Sequence, residues 1–126
     1  NIESGSVLIV DSGNYLFNLK KEYFLWIKRN FKNHDLYLKP HPNMNLPNYH
    51  LDDFKIIEKC IPTELIVDKT LIIISVISTT LFHKFPFNVR KYSLINHVEW
   101  KDNEEYHRFY SNIVNNESIQ IIENEK

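Results

Sequence analysis

Residues 78–80 read Ser-Thr-Thr and follow directly on the apolar run LIIISVI at 71–77. Three hydroxyls where such a run passes into a helix sit beside outward-pointing backbone N–H groups, and that combination holds anions. Ser and Thr are equally favoured as helix caps, and one hydroxyl can serve both purposes. A second candidate lies in KPHP at 39–42. His41 stands between Pro40 and Pro42, and proline fixes its own φ and restricts the residue before it. An imidazole held in this way can donate to a phosphate oxygen, in a charge-assisted bond of about 1.5–3 kcal/mol. It can also protonate a departing phosphate. Lys39, two positions earlier, points to the same side of an extended chain. The plain alternative is a proline-stiffened turn carrying an exposed His.

Two carboxylates complete the set. Glu64, in IPTELIV, falls in the first turn of an expected helix, where the dipole stabilises it. It has no Ser or Thr partner for a capping box, and it could accept from ribose hydroxyls. Asp11 ends the first expected strand and precedes Ser12 and Gly13. It is either a base reaching the cleft or a turn residue that caps its own backbone.

Other chemistry is not spelled out. There is no GxGxxG or GxxxxGK[ST] phosphate loop, no HExxH, no CxxC and no GxSxG. The six histidines (34, 41, 50, 83, 97 and 107) lack ligand spacing, which speaks against a zinc site. Cys60, the only cysteine, excludes an internal disulfide and fits a reducing compartment. Trp26 and Trp100 read as packing residues rather than a base-stacking platform.

The elements that would position these groups follow from periodicity. Strands are expected over 6–11, 35–40, 54–60, 71–77, 90–96 and 118–123, and helices over 20–34, from Pro62, from 78 and over 99–116. Residues 41–53 contain two prolines and three asparagines and read as a long loop. Strands alternating with helices imply α/β architecture, a parallel sheet with helices on both faces. Ligands of such sheets sit beyond the carboxyl ends of the strands. Asp11, His41 and Ser78–Thr80 each follow an expected strand end, and Glu64 opens the helix after the third strand, so all converge on one edge.

The 126 residues, 43% hydrophobic and 13% aromatic, amount to a single domain able to bury a core. A net charge of −1 gives no nucleic-acid footprint and no polybasic membrane patch. The longest apolar run, at 71–78, is far short of the roughly 20 residues of a membrane helix. The chain opens on NIESGS without a Met and reads as a piece of a longer protein.

Taken in order, LYLKPHPNMN, KIIEKCIPTELIV and LIIISVISTTLF resemble the carboxyl-terminal half of bacterial sialyltransferases of the lipooligosaccharide sialyltransferase and polysialyltransferase families. The shared marks are His41-Pro42, Pro62-Thr63-Glu64 and Ser78-Thr79-Thr80, and the likeness covers about residues 35–85. It implies one Rossmann-like half of a GT-B fold, with 1–126 as a nucleotide-sugar-binding domain. The donor would be CMP-sialic acid, and the enzyme would be inverting and independent of metal or cofactor. By this likeness His41 contacts the donor phosphate and assists departure of CMP, Ser78 and Thr79 hold the same phosphate, and Glu64 holds the ribose. Asp11 is the only local candidate for the base, although it matches no family motif. The partners implied are a glycan or glycolipid acceptor and an amino-terminal GT-B half. The location would be cytoplasmic, peripheral to the inner membrane, and a homodimer is left open. Ser-Thr stands here for the more familiar Ser-Ser, which keeps the hydroxyl chemistry.

Two other readings compete. A CDP-glycerol-type glycerophosphotransferase would also need a His and hydroxyls at phosphates. A non-enzymatic α/β signalling or interaction module would fit Asp11 and Thr79 at strand ends. A receiver-like module needs paired acids near its first strand, however, and residues 1–10 supply only Glu3. That reading also leaves KPHP unexplained.

Overall fold

A computed structural model describes residues 6–10, 16–19, 21–40, 54–57, 70–85 and 88–123. SVLIV forms β1 (Ser6–Val10) and TLIIIS forms β5 (Thr70–Ser75). Both lack the alternation of a half-exposed strand, because a strand covered on both faces needs apolar groups on both. They pair with each other in parallel at the middle of a six-stranded sheet, with Ile9 opposite Ile74. On one side of β1 lie β3 (Leu36–Lys39) and then β4 (Lys55–Ile56). On the other side of β5 lie β6 (Arg90–Ser93) and then β8 (Ile119–Ile121). Every neighbouring pair is parallel. Counted along the chain, these six strands have the order 3-2-1-4-5-6, the doubly wound Rossmann-like order.

Helix α1 (Lys21–Asn30) buries Tyr23, Phe24, Trp26 and Ile27 on one face. Glu22 in its first turn and Lys28 and Arg29 in its last complement the helix dipole. It stops short of the expected residue 34, where the backbone tightens into a turn with His34 N–H on the Phe31 carbonyl. Helix α2 (Asn103–Val114) is capped by Asp102, whose carboxylate accepts from the Glu104 N–H at 2.9 Å. The two helices cover opposite faces. Tyr92 of β6 meets Phe31, just past α1, whereas its neighbour Lys91 shares a cavity with Asn112 of α2. Adjacent residues of a strand point to opposite faces.

The expected helix over 99–116 is corrected at its start. Val98–Trp100 form β7, which pairs antiparallel with β2 (Phe17–Leu19). Val98 is buried and Glu99 exposed, a strand alternation, and the Asp102 cap delays the helix. The Phe17 and Trp100 rings pack at 5.1 Å across this ribbon. The ribbon has no counterpart among the expected elements. The strand expected over 54–60 is present at Lys55–Ile56. Its remainder, the loop at 41–53 and the helix from Pro62 lie outside the described residues.

The core runs along both faces of the central strands. Leu8, Ile9, Ile73, Ile74 and Leu81 are fully buried, with Ile27 from α1 and Ile113 from α2 closing over them. Among the described residues no helix is long and apolar enough to cross a membrane.

Candidate functional site at the carboxyl edge of the sheet

The ends of β3, β1 and β5 stand side by side. Val10, the last residue of β1, is in register with Lys39, the last of β3. The chain leaves β1 toward β3 on one side, while β5 leads to β6 on the other. That reversal is a topological switch point, and ligands of doubly wound sheets usually sit beyond the carboxyl ends at such a point.

Two buried serines hold the strands together where they part. Ser75 Oγ donates to the Val10 carbonyl at 2.6 Å, and Ser93 Oγ donates to the Val76 carbonyl at 2.7 Å. Both serines are fully buried. A carbonyl at a strand end has no regular ladder partner, and burying it unpaired is unfavourable. Neither serine was anticipated as part of the site. The signal was a hydroxyl inside a run otherwise fit for a central strand.

The hydroxyl trio lies just past β5. Ser78 is extended (φ −61°, ψ 142°) and caps a single 3-10 turn, Thr79–Phe82, its Oγ accepting from the Thr80 N–H at 3.2 Å. Thr80 is buried and Thr79 exposed. The expected short helix from 78 is thus one 3-10 turn. So short an element has almost no aligned dipole. The capacity to hold an anion rests on the hydroxyls: Ser78 uses an acceptor lone pair for the cap and keeps its O–H as a donor, and Thr79 faces solvent.

Lys39 is buried, with 4% of its surface exposed, and its Nζ donates to the Pro40 carbonyl at 3.3 Å. A lysine cation thus ends β3 inside the edge rather than out in water. Asp11, His41, Pro42 and Glu64 lie outside the described residues. In sequence, Asp11 follows the last residue of β1, and His41 follows Pro40 at the end of β3.

Past the end of β6, the ribbon and α2 are tied down by polar contacts. Trp100 Nε1 donates to the Ile95 carbonyl at 2.9 Å, and Tyr106 Oη donates to Asn96 Oδ1 at 2.6 Å. Burial raises the Tyr106 pKa, with Tyr110 and Glu123 adding to the rise. Trp26 and Trp100 both pack against other rings. Among the described residues no three His, Cys, Asp or Glu side chains gather as a metal site would require.

The fold defines the class: an α/β protein with a doubly wound, Rossmann-like parallel sheet. Comparison with protein-family models, curated proteins and solved structures gives no match to this chain.

Proposed function

We propose that the chain is the donor-binding half of an inverting, metal-independent sialyltransferase of GT-B type, moving sialic acid from CMP-sialic acid to a cell-surface glycan. The supporting observation is the adjacency of three strand ends. β3, β1 and β5 are consecutive in the sheet, and the sequence places His41, Asp11 and Ser78–Thr80 just after them. On this reading, residues distant in sequence meet at one edge of the sheet.

In this reading the CMP phosphate is met by His41, by the hydroxyls of Ser78 and Thr79, and by the positive charge of Lys39. Thr80 and Pro42 shape the same wall. Glu64 accepts from the ribose hydroxyls. The acceptor oxygen attacks the anomeric carbon while the bond from that carbon to the phosphate oxygen breaks. The electron pair leaves with CMP, stabilised by donors already in place. Asp11 takes the acceptor's proton. The acceptor comes from a glycolipid at a cytoplasmic membrane surface, and a second, amino-terminal half closes the cleft.

The test is calorimetric titration of the whole chain with CMP, CDP and UMP. CMP is expected to bind best. His41→Ala and Thr79→Val should each weaken it roughly 10–100-fold, the loss of one charge-assisted phosphate hydrogen bond. Preference for CDP would replace the reading by a glycerophosphotransferase. No binding of any nucleotide at about millimolar concentration, which corresponds to roughly −4 kcal/mol, would remove it.

A further inference from the structure

A cavity of about 660 Å³ lies away from the carboxyl edge, beside the starts of β6 and β8 and the carboxyl end of α2. Its origin is topological. A doubly wound fold ordinarily covers the sheet with a crossover helix between consecutive parallel strands. Between β5 and β6 the described residues supply only the 3-10 turn at Thr79–Phe82. The space is left between that turn and α2, and the volume is in the range of small-molecule sites, roughly 300–1,000 Å³.

Lys91 of β6 forms part of the wall. Its side chain is buried, only 7% exposed. Nζ donates to the His83 carbonyl at 2.5 Å and lies 5.4 Å from the centre of the Phe85 ring. Among the described residues no carboxylate pairs with it. A buried ammonium with three donors and one neutral acceptor is left short of both hydrogen bonds and countercharge, an unfavourable state unless something else supplies them. Desolvation lowers its pKa, in keeping with the missing countercharge.

The rest of the lining narrows the ligand. Lys84 adds a second cation, Phe82 and Phe85 present flat apolar rings, and Asn112 and Asn116 bring amides that both donate and accept. Glu117 sets one carboxylate against these two cations, and the balance favours an anion. Two amides at the end of one helix suit a ligand with several hydroxyls, and the rings suit the apolar face of a sugar.

We infer that this cavity binds a monosaccharide carrying a phosphate or carboxylate, with its anionic group on Lys91 and Lys84 and its hydroxyls on Asn112 and Asn116. The site is separate from the carboxyl edge and does not depend on the sialyltransferase reading.

Glucose 6-phosphate, glucuronate and glucose are titrated calorimetrically into the whole chain. At least one of the two anions should bind about tenfold or more tightly than glucose, the increment of a charge-assisted pair. The two arms decide between phosphate and carboxylate. Lys91→Met should abolish that advantage, and His41→Ala should leave it intact. Should Lys91→Met not fold, Lys84→Ala and Asn112→Ala, both at exposed positions, replace it and should each weaken the preferred anion several-fold. Equal binding of glucose and the anions overturns the inference. So does an absence of binding at about 10 mM, or affinity unmoved by the variants.

Discussion

The two polar regions of this molecule handle charge in opposite ways. At the carboxyl edge, the strand ends are tied by Ser75 and Ser93, and Lys39 folds onto the Pro40 carbonyl. Among the described residues the edge is a largely pre-paired frame, with the Ser78 O–H and the exposed Thr79 hydroxyl left to donate. At the cavity, Lys91 is buried against one carbonyl and one ring with no carboxylate on it. The first region arises from the strand order, which sets the switch point. The second arises where a crossover is too short to fill its face. A doubly wound sheet therefore offers two kinds of place for a ligand, one set by topology and one by incomplete cover.

The largest expected effect removes both regions together. Ile73 is fully buried in the central strand beneath them. Ile73→Ala should lower stability by about 2–5 kcal/mol in urea denaturation. A loss within about 0.5 kcal/mol, typical of a surface site, would mean that the two regions do not share this core.

Ser75→Ala separates them. It leaves the Val10 carbonyl buried without its 2.6 Å partner, at a cost of about 1–3 kcal/mol. Nucleotide binding at the carboxyl edge should fall, while the anionic sugar at the cavity keeps its affinity. Equal losses at both would show that the serine supports the whole sheet rather than its switch point.

The smallest effect is a pH dependence. Burial lowers the Lys91 pKa below its ordinary 10.5, so the folded state releases this proton more readily than the unfolded chain. At neutral pH the unfolded state holds the proton more favourably, and the charge weighs against folding. That penalty fades as pH rises through the lowered folded value toward 10.5. Lys91→Met should therefore melt higher than the parent chain at pH 7, with the gap narrowing as pH approaches 10.5. The raised Tyr106 pKa acts with the opposite sign at alkaline pH, but it is common to both proteins and cancels in the difference. A gap independent of pH, or a less stable variant, would contradict an uncompensated Lys91.

The parts legible in sequence are those with a strong local signature. SVLIV and LIIIS carry the mark of strands covered on both faces, and the apolar spacing of Phe24, Leu25, Ile27 and Phe31 marked α1, although Leu25 is exposed and Tyr23 and Trp26 join Phe24 and Ile27 on the buried face. Alternating elements implied the parallel sheet, and hence the edge where Ser78–Thr80 lie. Illegible were features whose cause is tertiary. Three residues of β2 and three of β7 are too few for alternation to stand out from the flanks, and their pairing joins segments about eighty residues apart in sequence. Lys91 reads as a solvent-facing strand residue until the cover above it is known. The hydroxyl of Ser75 acquires its role only from the β1 end beside it.

The most direct measurement is a nitrogen-15 NMR titration of the whole chain with CMP, followed by the preferred anionic sugar in the same sample. The account predicts that CMP shifts the amides of Ser78, Thr79 and Thr80, together with those near His41, and leaves Asn112 and Asn116 unmoved. The sugar should then shift Lys91, Asn112 and Asn116. CMP shifts confined to the cavity, or no response at the carboxyl edge, would contradict the claim that the switch point of this sheet is the nucleotide site.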